Sequence, residues 1–300
     1  MDRLDELAVL VAVLDTGSLI SASRRLRRSP PAVTRALGAL EARIGARLIE
    51  RTTRHVAPTE AGRLVAEHAR RVLAEVDEAM RAGAGHAAES SGLLRVSAPV
   101  VFGRLHVGPA VSRFLEAHPR VRAEVVFSDR YLDLVEEGLD AAVRIGTLPD
   151  SGLVMRLLGH VRRVVVASPV YLARRGVPDS PDALADQDII YTVGRPAAPA
   201  WRFGPDEHGR VVRLTPRLTV NQVDAALSAA RAGQGVARAL SYQVAEDLEA
   251  GRLVRILANF EPPRLPVQIV MPSGRLTPQR VRRFVDLVVE GLGALPVLRE

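Results

Sequence analysis

The sequence predicts an α/β protein in two parts joined by a long helix. Three observations carry this. Residues 1–58 hold three apolar stripes at helical spacing, followed by two short apolar runs around a turn. From Thr59 a single helical pattern runs to about Ala82. From residue 93 onward, short apolar runs alternate with helical stretches, as in strand–helix–strand units with a largely parallel sheet.

Leu4, Leu7, Val11 and Leu14 mark the first helix; Gly17 closes it and Ser18 caps the next, Ser21 to Leu26. After a tight link through Arg27, Arg28 and Ser29 comes a longer helix, Pro30 to about Ala46. Ser29 stands at its N-cap and Pro30 at its first helical position. Two helices joined by a three- to four-residue turn form a helix-turn-helix, the arrangement used to read DNA.

The two faces of the second helix differ. Val33, Leu37, Leu40 and Ile44 make one apolar stripe. The opposite face holds Pro31, Arg35, Gly38, Ala39 and Ala42, small residues with one long cation. An ordinary solvated face would carry Glu, Lys and Gln. Small side chains let a helix enter a groove about 12 Å wide, where Arg grips guanine or phosphate. Charge agrees: Arg24 to Arg54 contains nine Arg and two Glu, so 9 − 2 = +7, the formal charge of the whole chain. A cation cluster confined to one small domain is the footprint of a polyanion binder.

Leu48 to Arg51 and Val56 to Pro58 flank Thr52, Thr53, Arg54 and His55 and form a small hairpin, the wing of a winged helix-turn-helix. Arg51 and Arg54 are placed to contact phosphate, which adds affinity and little sequence information. Thr59 caps the long helix, with Glu60 at its positive end. Val65, Ala69, Val72, Val76 and Ala79 then step by 4, 3, 4 and 3, a thin heptad seam. The seam is either a weak pairing surface or the face packed on its own domain. Ala82 to Gly92, small and polar, forms the hinge.

Beyond the hinge, strands are expected at 93–98, 123–128, 141–145, 164–167, 189–193 and 266–271. Helices are expected at about 103–117, 131–138, 169–175, 222–233, 241–250 and 278–292.

Composition narrows the function. Three hundred residues, 47% hydrophobic, support two or three cores. All 41 basic residues are Arg, which reads first as a genome-composition effect. The absence of Cys excludes a disulfide scaffold, cysteine-ligated zinc and a thiol nucleophile. The acidic start and the short apolar run Leu7 to Leu14 fit neither a signal peptide nor a membrane span, so a soluble, cytoplasmic, nucleoid-associated protein is expected. Seven His show no metal spacing, Gly233-Gln234-Gly235 reads as a helix C-terminal turn, and no Ser sits in GxSxG. No catalytic constellation, metal site or cofactor is expected.

The chain resembles the LysR-type transcriptional regulators. The resemblance is carried by Leu4, Leu7, Val13, Gly17-Ser18-Leu19, Ser21-Ala22-Ser23, Leu26, Ser29 and Pro31-Ala32-Val33-Thr34-Arg35. It continues through Leu40-Glu41, Gly45, Leu48-Ile49, Arg51 and Thr59-Glu60-Ala61-Gly62. It is specific over the first sixty or so residues and looser after them. Pro30 stands where relatives often carry an amide side chain, Leu19 and Ile49 replace aromatics, and Pro58 replaces an apolar residue.

The resemblance implies a winged helix-turn-helix at 1–58, a linker and dimerisation helix with hinge at 59–92, and an effector-binding domain at 93–300. The last would be a two-lobed α/β domain like a type 2 periplasmic-binding protein, with lobe I at about 93–161 and 267–300 and lobe II at about 162–266. It implies a homodimer, assembled into a homotetramer, on a partly palindromic double-stranded DNA operator. DNA contacts are expected from Ser29, Pro31, Ala32, Thr34, Arg35, Arg51, Thr52 and Arg54. A small-molecule effector, anionic or aromatic, would lie in the interlobe cleft against Pro99, Val100, Val101, Ser128, Ile145, Gly146, Thr147 and Asn221. The free N–H groups at the helix start after Ser97-Ala98 would suit an anion. Pro99 to Phe102 lacks the hydroxyl many relatives place there, so the pocket is more apolar or binds through backbone groups. The alternative is a cytoplasmic small-molecule binding protein or α/β enzyme whose N-terminal helices mediate protein contacts, which would leave the basic cluster idle.

Overall fold

The computed structural model describes residues 2–51, 56–83, 90–148, 152–193, 198–204, 209–273 and 277–299. The chain forms two compact units, Met1–Gly92 and Leu93–Glu300.

The first unit runs α1 (Arg3–Thr16), α2 (Leu19–Arg25), α3 (Pro30–Ile44), β1 (Ile49–Arg51), β2 (Val56–Pro58) and α4 (Glu60–Gly83). Gly17 ends α1 in the left-handed conformation, and the Ser18 hydroxyl accepts from the Ser21 N–H to start α2. Val9, Leu10, Val13, Ala22, Val33, Leu37, Leu40 and Leu48 close one core. Ile44, expected on the same stripe, is 41% exposed, because α3 ends there and Gly45 turns the chain away. β1 and β2 pair antiparallel with Ile49 opposite Pro58 and Arg51 opposite Val56. The Glu41 carboxylate anchors this hairpin by accepting from the Leu48 and Ile49 N–H groups at 2.9 and 3.3 Å. Thr59 Oγ1 accepts from the Gly62 N–H and donates to the Arg47 carbonyl, which fixes the start of α4. Gly62 is required there: a Cβ would stand 1.8 Å from the Leu48 carbonyl oxygen.

α4 divides the expected seam. Ala66 and Ala69 are buried and Val65 packs beside them in this unit's own core, whereas Val72 is exposed. The N-terminal half of the stripe is therefore used within the unit. Ala79's side chain lies outside the described residues.

The second unit runs β3 (Gly92–Ala98), α5 (Val100–Phe102), a π-turn over Gly103–Val107, α6 (Gly108–Ala117), β4 (Val121–Phe127), β5 (Ala141–Ile145), β6 (Val154–Val161) and β7 (Arg163–Ala167). It continues with α7 (Pro169–Arg175), β8 (Ile189–Thr192), β9 (Ala200–Arg202), β10 (Val211–Arg213), β11 (Pro216–Val220), α8 (Val223–Arg231) and β12 (Val236–Leu240). α9 (Ser241–Glu249), β13 (Val254–Ile256), β14 (Leu265–Met271) and α10 (Gln279–Gly293) complete it. Two five-stranded sheets result, ordered β4-β3-β5-β14-β6 and β11-β8-β12-β7-β13. The chain passes between them at Arg162, whose N–H donates to Ser241 Oγ and whose carbonyl accepts from the Ser241 N–H.

The largely parallel sheet expected from strand–helix alternation needs correction. β3 pairs parallel with β5, and β8 with β11 and β12, but β14 runs antiparallel to β5 and β6, and β7 antiparallel to β12 and β13. Strands entering or leaving at a passage between sheets reverse direction without a crossover helix. The helix expected at 131–138 is a single turn. Asp133 caps it by accepting from the Val135 and Glu136 N–H groups, and Gly138 ends it with a left-handed φ of 64°. β6 is a further difference. It is an edge strand whose register against β14 shifts between Gly159 and Leu157, and at Gly159 a Cβ would meet the Leu298 carbonyl oxygen at 2.4 Å. Among the described residues no helix is long and apolar enough to cross a membrane.

Candidate functional site

The helix-turn-helix presents one face of α3 to solvent. Pro31, Arg35, Gly38, Ala39 and Ala42 are all exposed, and Ala32 and Thr34 lie half-buried at its flank. A Cβ at Gly38 would meet nothing within 4 Å. The slim face therefore exists as its sequence suggests, and its one long side chain, Arg35, has no carboxylate partner among the described residues.

Ser29 stands at the N-cap, but its hydroxyl makes no capping bond. The reason is local. Pro30 and Pro31 carry no N–H, and the Ala32 and Val33 N–H groups both donate to the Ser29 carbonyl, at 2.9 and 3.2 Å. The exposed hydroxyl is left for another partner.

The basic cluster is partly neutralised. Arg25 pairs with Asp15, Arg28 with Asp5 and Arg43 with the buried Glu6, all carboxylates of α1. Arg24, Arg27, Arg35 and Arg47 have no such partner among the described residues, and all four are exposed. Composition alone gives the net charge; only the folded contacts show which cations remain available. Arg27 sits in the turn with φ of 52°, a conformation a non-glycine residue adopts at some cost. Arg51 ends β1. Thr52 and Arg54, expected at the wing tip, lie outside the described residues.

In the second unit, the expected ligand residues fall at strand ends. Pro99, Val100 and Val101 follow β3, and Ser128 follows β4, joined to them by the Ser128 N–H donating to the Ala98 carbonyl. Ile145, Gly146 and Thr147 close β5, with the Gly146 carbonyl accepting from Gln268 Nε2 at 3.0 Å. Asn221 is exposed just before α8. Two expectations change. The Val100 N–H is not free: it donates to Asp129 Oδ1 at 3.0 Å, so the chain's own carboxylate occupies the helix start reserved for an anion. Val101 is 4% exposed and belongs to the core. The Ser128 hydroxyl is engaged as well, accepting from the Arg130 N–H.

Contacts between the two sheets' layers add residues that sequence spacing did not single out. Arg104, in the π-turn, pairs with Asp224 in the first turn of α8 at 3.1 Å. Tyr242 of α9 inserts its ring beside Phe102 and His106, with centroids 5.2 and 6.0 Å away. Burial pushes its phenol well above the ordinary range, against the Gln243 hydrogen bond that opposes the shift. Burial also lowers His106, whose Nε2 finds no partner among the described residues. These pairings join residues far apart in sequence, so no local pattern announces them. Among the described residues no group of three or more His, Cys, Asp or Glu is placed to hold a metal ion.

Comparison with known proteins agrees with both units. Residues 4–63 match the model of the bacterial regulatory helix-turn-helix protein, LysR family, and residues 87–293 that of the LysR substrate binding domain. The regulator PtxR of Pseudomonas aeruginosa is 34% identical over 296 residues, covering 98% of this chain and 94% of its own length. CrgA of Neisseria meningitidis serogroup C is 32% identical, covering 96% of this chain and 97% of its own. The solved structure of CrgA, a LysR-type transcriptional regulator, superposes with a TM-score of 0.62 at 31% identity, over 98% of this chain and 100% of that one. Full-length AphB, a virulence activator of Vibrio cholerae, gives 0.60 at 26% identity over 96% and 99%. With a DNA-binding head and an effector-binding domain both matched, the chain belongs to the LysR family of transcriptional regulators.

Proposed function

We propose that this regulator binds a partly palindromic operator as a dimer, assembled into a tetramer, and that a small ligand between the two sheets of the second unit biases the arrangement. The exposed, slim face of α3 carries the DNA half of this reading. Arg35 and Thr34 reach base edges or flanking phosphates, with Pro31 and Ala32 in apolar contact and the Ser29 hydroxyl on phosphate. Arg51, Thr52 and Arg54 hold the backbone along the wing. Residues 1–58 form the reader, 59–92 the pairing helix and hinge, and 93–300 the effector domain. Within the last, 93–161 with 267–300 and 162–266 act as two lobes, in line with the two sheets.

The ligand meets Pro99, Val100, Ser128, Ile145, Gly146, Thr147 and Asn221, with Asp129 already on the Val100 N–H. A change in lobe closure then passes through the hinge as a change in half-site spacing or DNA bend. The protein acts in the cytoplasm, on the nucleoid, without catalysis.

A mobility-shift assay with DNA from upstream of its own gene tests the DNA half. A shift that survives excess unrelated duplex is expected. No shift, or one removed equally by unrelated duplex, would contradict it.

A further inference from the structure

The two buried arginines among the described residues of the second unit have evident counterparts: Arg280 pairs with Asp140, and Arg144 donates to Ser97 Oγ and the Leu132 carbonyl. Among its exposed arginines, Arg231 and Arg252 share the Asp247 carboxylate and Arg255 pairs with Glu261. Arg163 and Arg238 have no such counterpart. Among the described residues neither guanidinium has a hydrogen-bond or ion-pair partner, although both are half-buried.

The two lie on one face of the second sheet. β12 and β7 pair antiparallel with Arg238 opposite Val165 and Leu240 opposite Arg163, so the arginines project to the same side, one step apart along the ladder. Val165, Val236 and Trp201 share the core on that side. The Arg238 guanidinium lies over the Trp201 ring, 5.3 Å from its centroid, which holds it flat without neutralising it. Tyr191 borders the pair from the neighbouring parallel strand β8, whose Ile190 pairs with Ala237. This is the carboxyl end of two parallel strands, where open α/β sheets take ligands. Arg163 also follows directly on Arg162, where the chain passes between sheets, so whatever binds here bears on that junction.

We propose that Arg163 and Arg238 form an oxyanion seat, taking the carboxylate or phosphoryl group of a small metabolite. The assignment rests on reading this unit as the effector domain and names the ligand's chemistry. Two half-buried like charges repel, and desolvation weakens both; an anion bridging them relieves the repulsion and supplies the missing hydrogen-bond acceptors. Burial, and next the charge of Arg163, draw the Arg238 guanidinium down to about 10, a cost that a bound anion would offset.

Trp201 is the only tryptophan of the chain and stands against Arg238, so its emission reports on the seat. The full chain is titrated with sodium benzoate and, separately, sodium phosphate at fixed ionic strength, with benzamide and sodium chloride as references. A saturable change with benzoate, phosphate or both, absent from the references, is expected; which of them binds identifies the group. Arg163→Gln leaves Trp201's own contact in place and should weaken half-saturation by roughly tenfold or more. Arg163→Lys, which keeps the charge, should stay close to wild type, separating lost charge from damaged fold. No saturable change with either anion, or an Arg163→Gln titration that matches wild type, would overturn the seat. DNA binding is measured without these anions, so the regulator reading stands or falls separately.

Discussion

α3 and α5 are two helix starts whose backbone donors are both taken, by different means, although only the one before α5 reads in the sequence as an anion seat. At α3 the two prolines remove the first donors, and the Ala32 and Val33 N–H groups turn back on the Ser29 carbonyl. The recognition proposed there rests on side chains, and Arg35 is exposed. At α5 the Val100 N–H is intact but holds the Asp129 carboxylate. The dipole logic of a helix start applies at both. Whether a start is available to a ligand depends on what the remaining chain brings to it, and a local motif does not contain that information.

The largest effect expected from breaking this contrast is at Gly38. Gly38→Glu adds bulk and negative charge to the α3 face without meeting any neighbour. DNA affinity should fall by several kcal/mol, beyond about a hundredfold. Helix stability should rise by several tenths of a kcal/mol, since glycine is the poorer helix former. Anisotropy with labelled DNA and a urea melt read the two separately.

A carboxylate away from any helix start comes next. Asp247 is 4% exposed and receives Arg252 and Arg231 at 2.6 and 2.9 Å. Burial alone would raise its acid, but hydrogen bonds and charge from Arg252 and Arg231 outweigh that and hold it below the ordinary carboxylate range. Asp247→Asn should cost about 2 kcal/mol at pH 7, the scale of hydrogen bonds to charged groups. Because the folded acid is the stronger one, the contribution is present above the unfolded value of about 3.9 and is lost as pH falls through the folded value. The gap between wild type and variant in urea melts should therefore hold from pH 7 to about pH 4 and shrink below it.

At α5, Asp129→Ala should destabilise the second unit by about 1 kcal/mol, the worth of one hydrogen bond. Asp129→Asn, whose amide oxygen still accepts from Val100, should lose less. Equal losses in urea melts would mean that the capping contact contributes nothing.

The smallest effect belongs to the turn before α3. Arg27→Gly relieves the positive φ but adds freedom to the unfolded chain, so stability should change by less than about 1 kcal/mol. The slope of log affinity against log salt should flatten by about one if Arg27 meets a phosphate.

Much of this architecture is legible in the sequence where a period and a cap coincide. Ala141 to Ile145 and 169–175 appear with the bounds expected of them, because apolar runs or helix caps frame both. The α3 face is legible for the same reason: small residues recur at helical spacing. The strands β9, β10 and β13 are three residues long and give no period to read. The 131–138 stretch looks helical until Asp133 and Gly138 are seen to bracket a single turn. At the sites, the hidden facts are pairings across distance. Arg43 lost to Glu6, Val100 to Asp129, and Arg163 beside Arg238 all depend on tertiary contact. With 41 arginines in the chain, composition singles out none of them.

The claim that α3 reads DNA through Arg35 is tested most directly by titrating labelled upstream DNA with wild type and Arg35→Ala. A loss of about 1–3 kcal/mol with an altered base preference at one position of each half-site is the expected result. Wild-type affinity and unchanged preference in Arg35→Ala would contradict it.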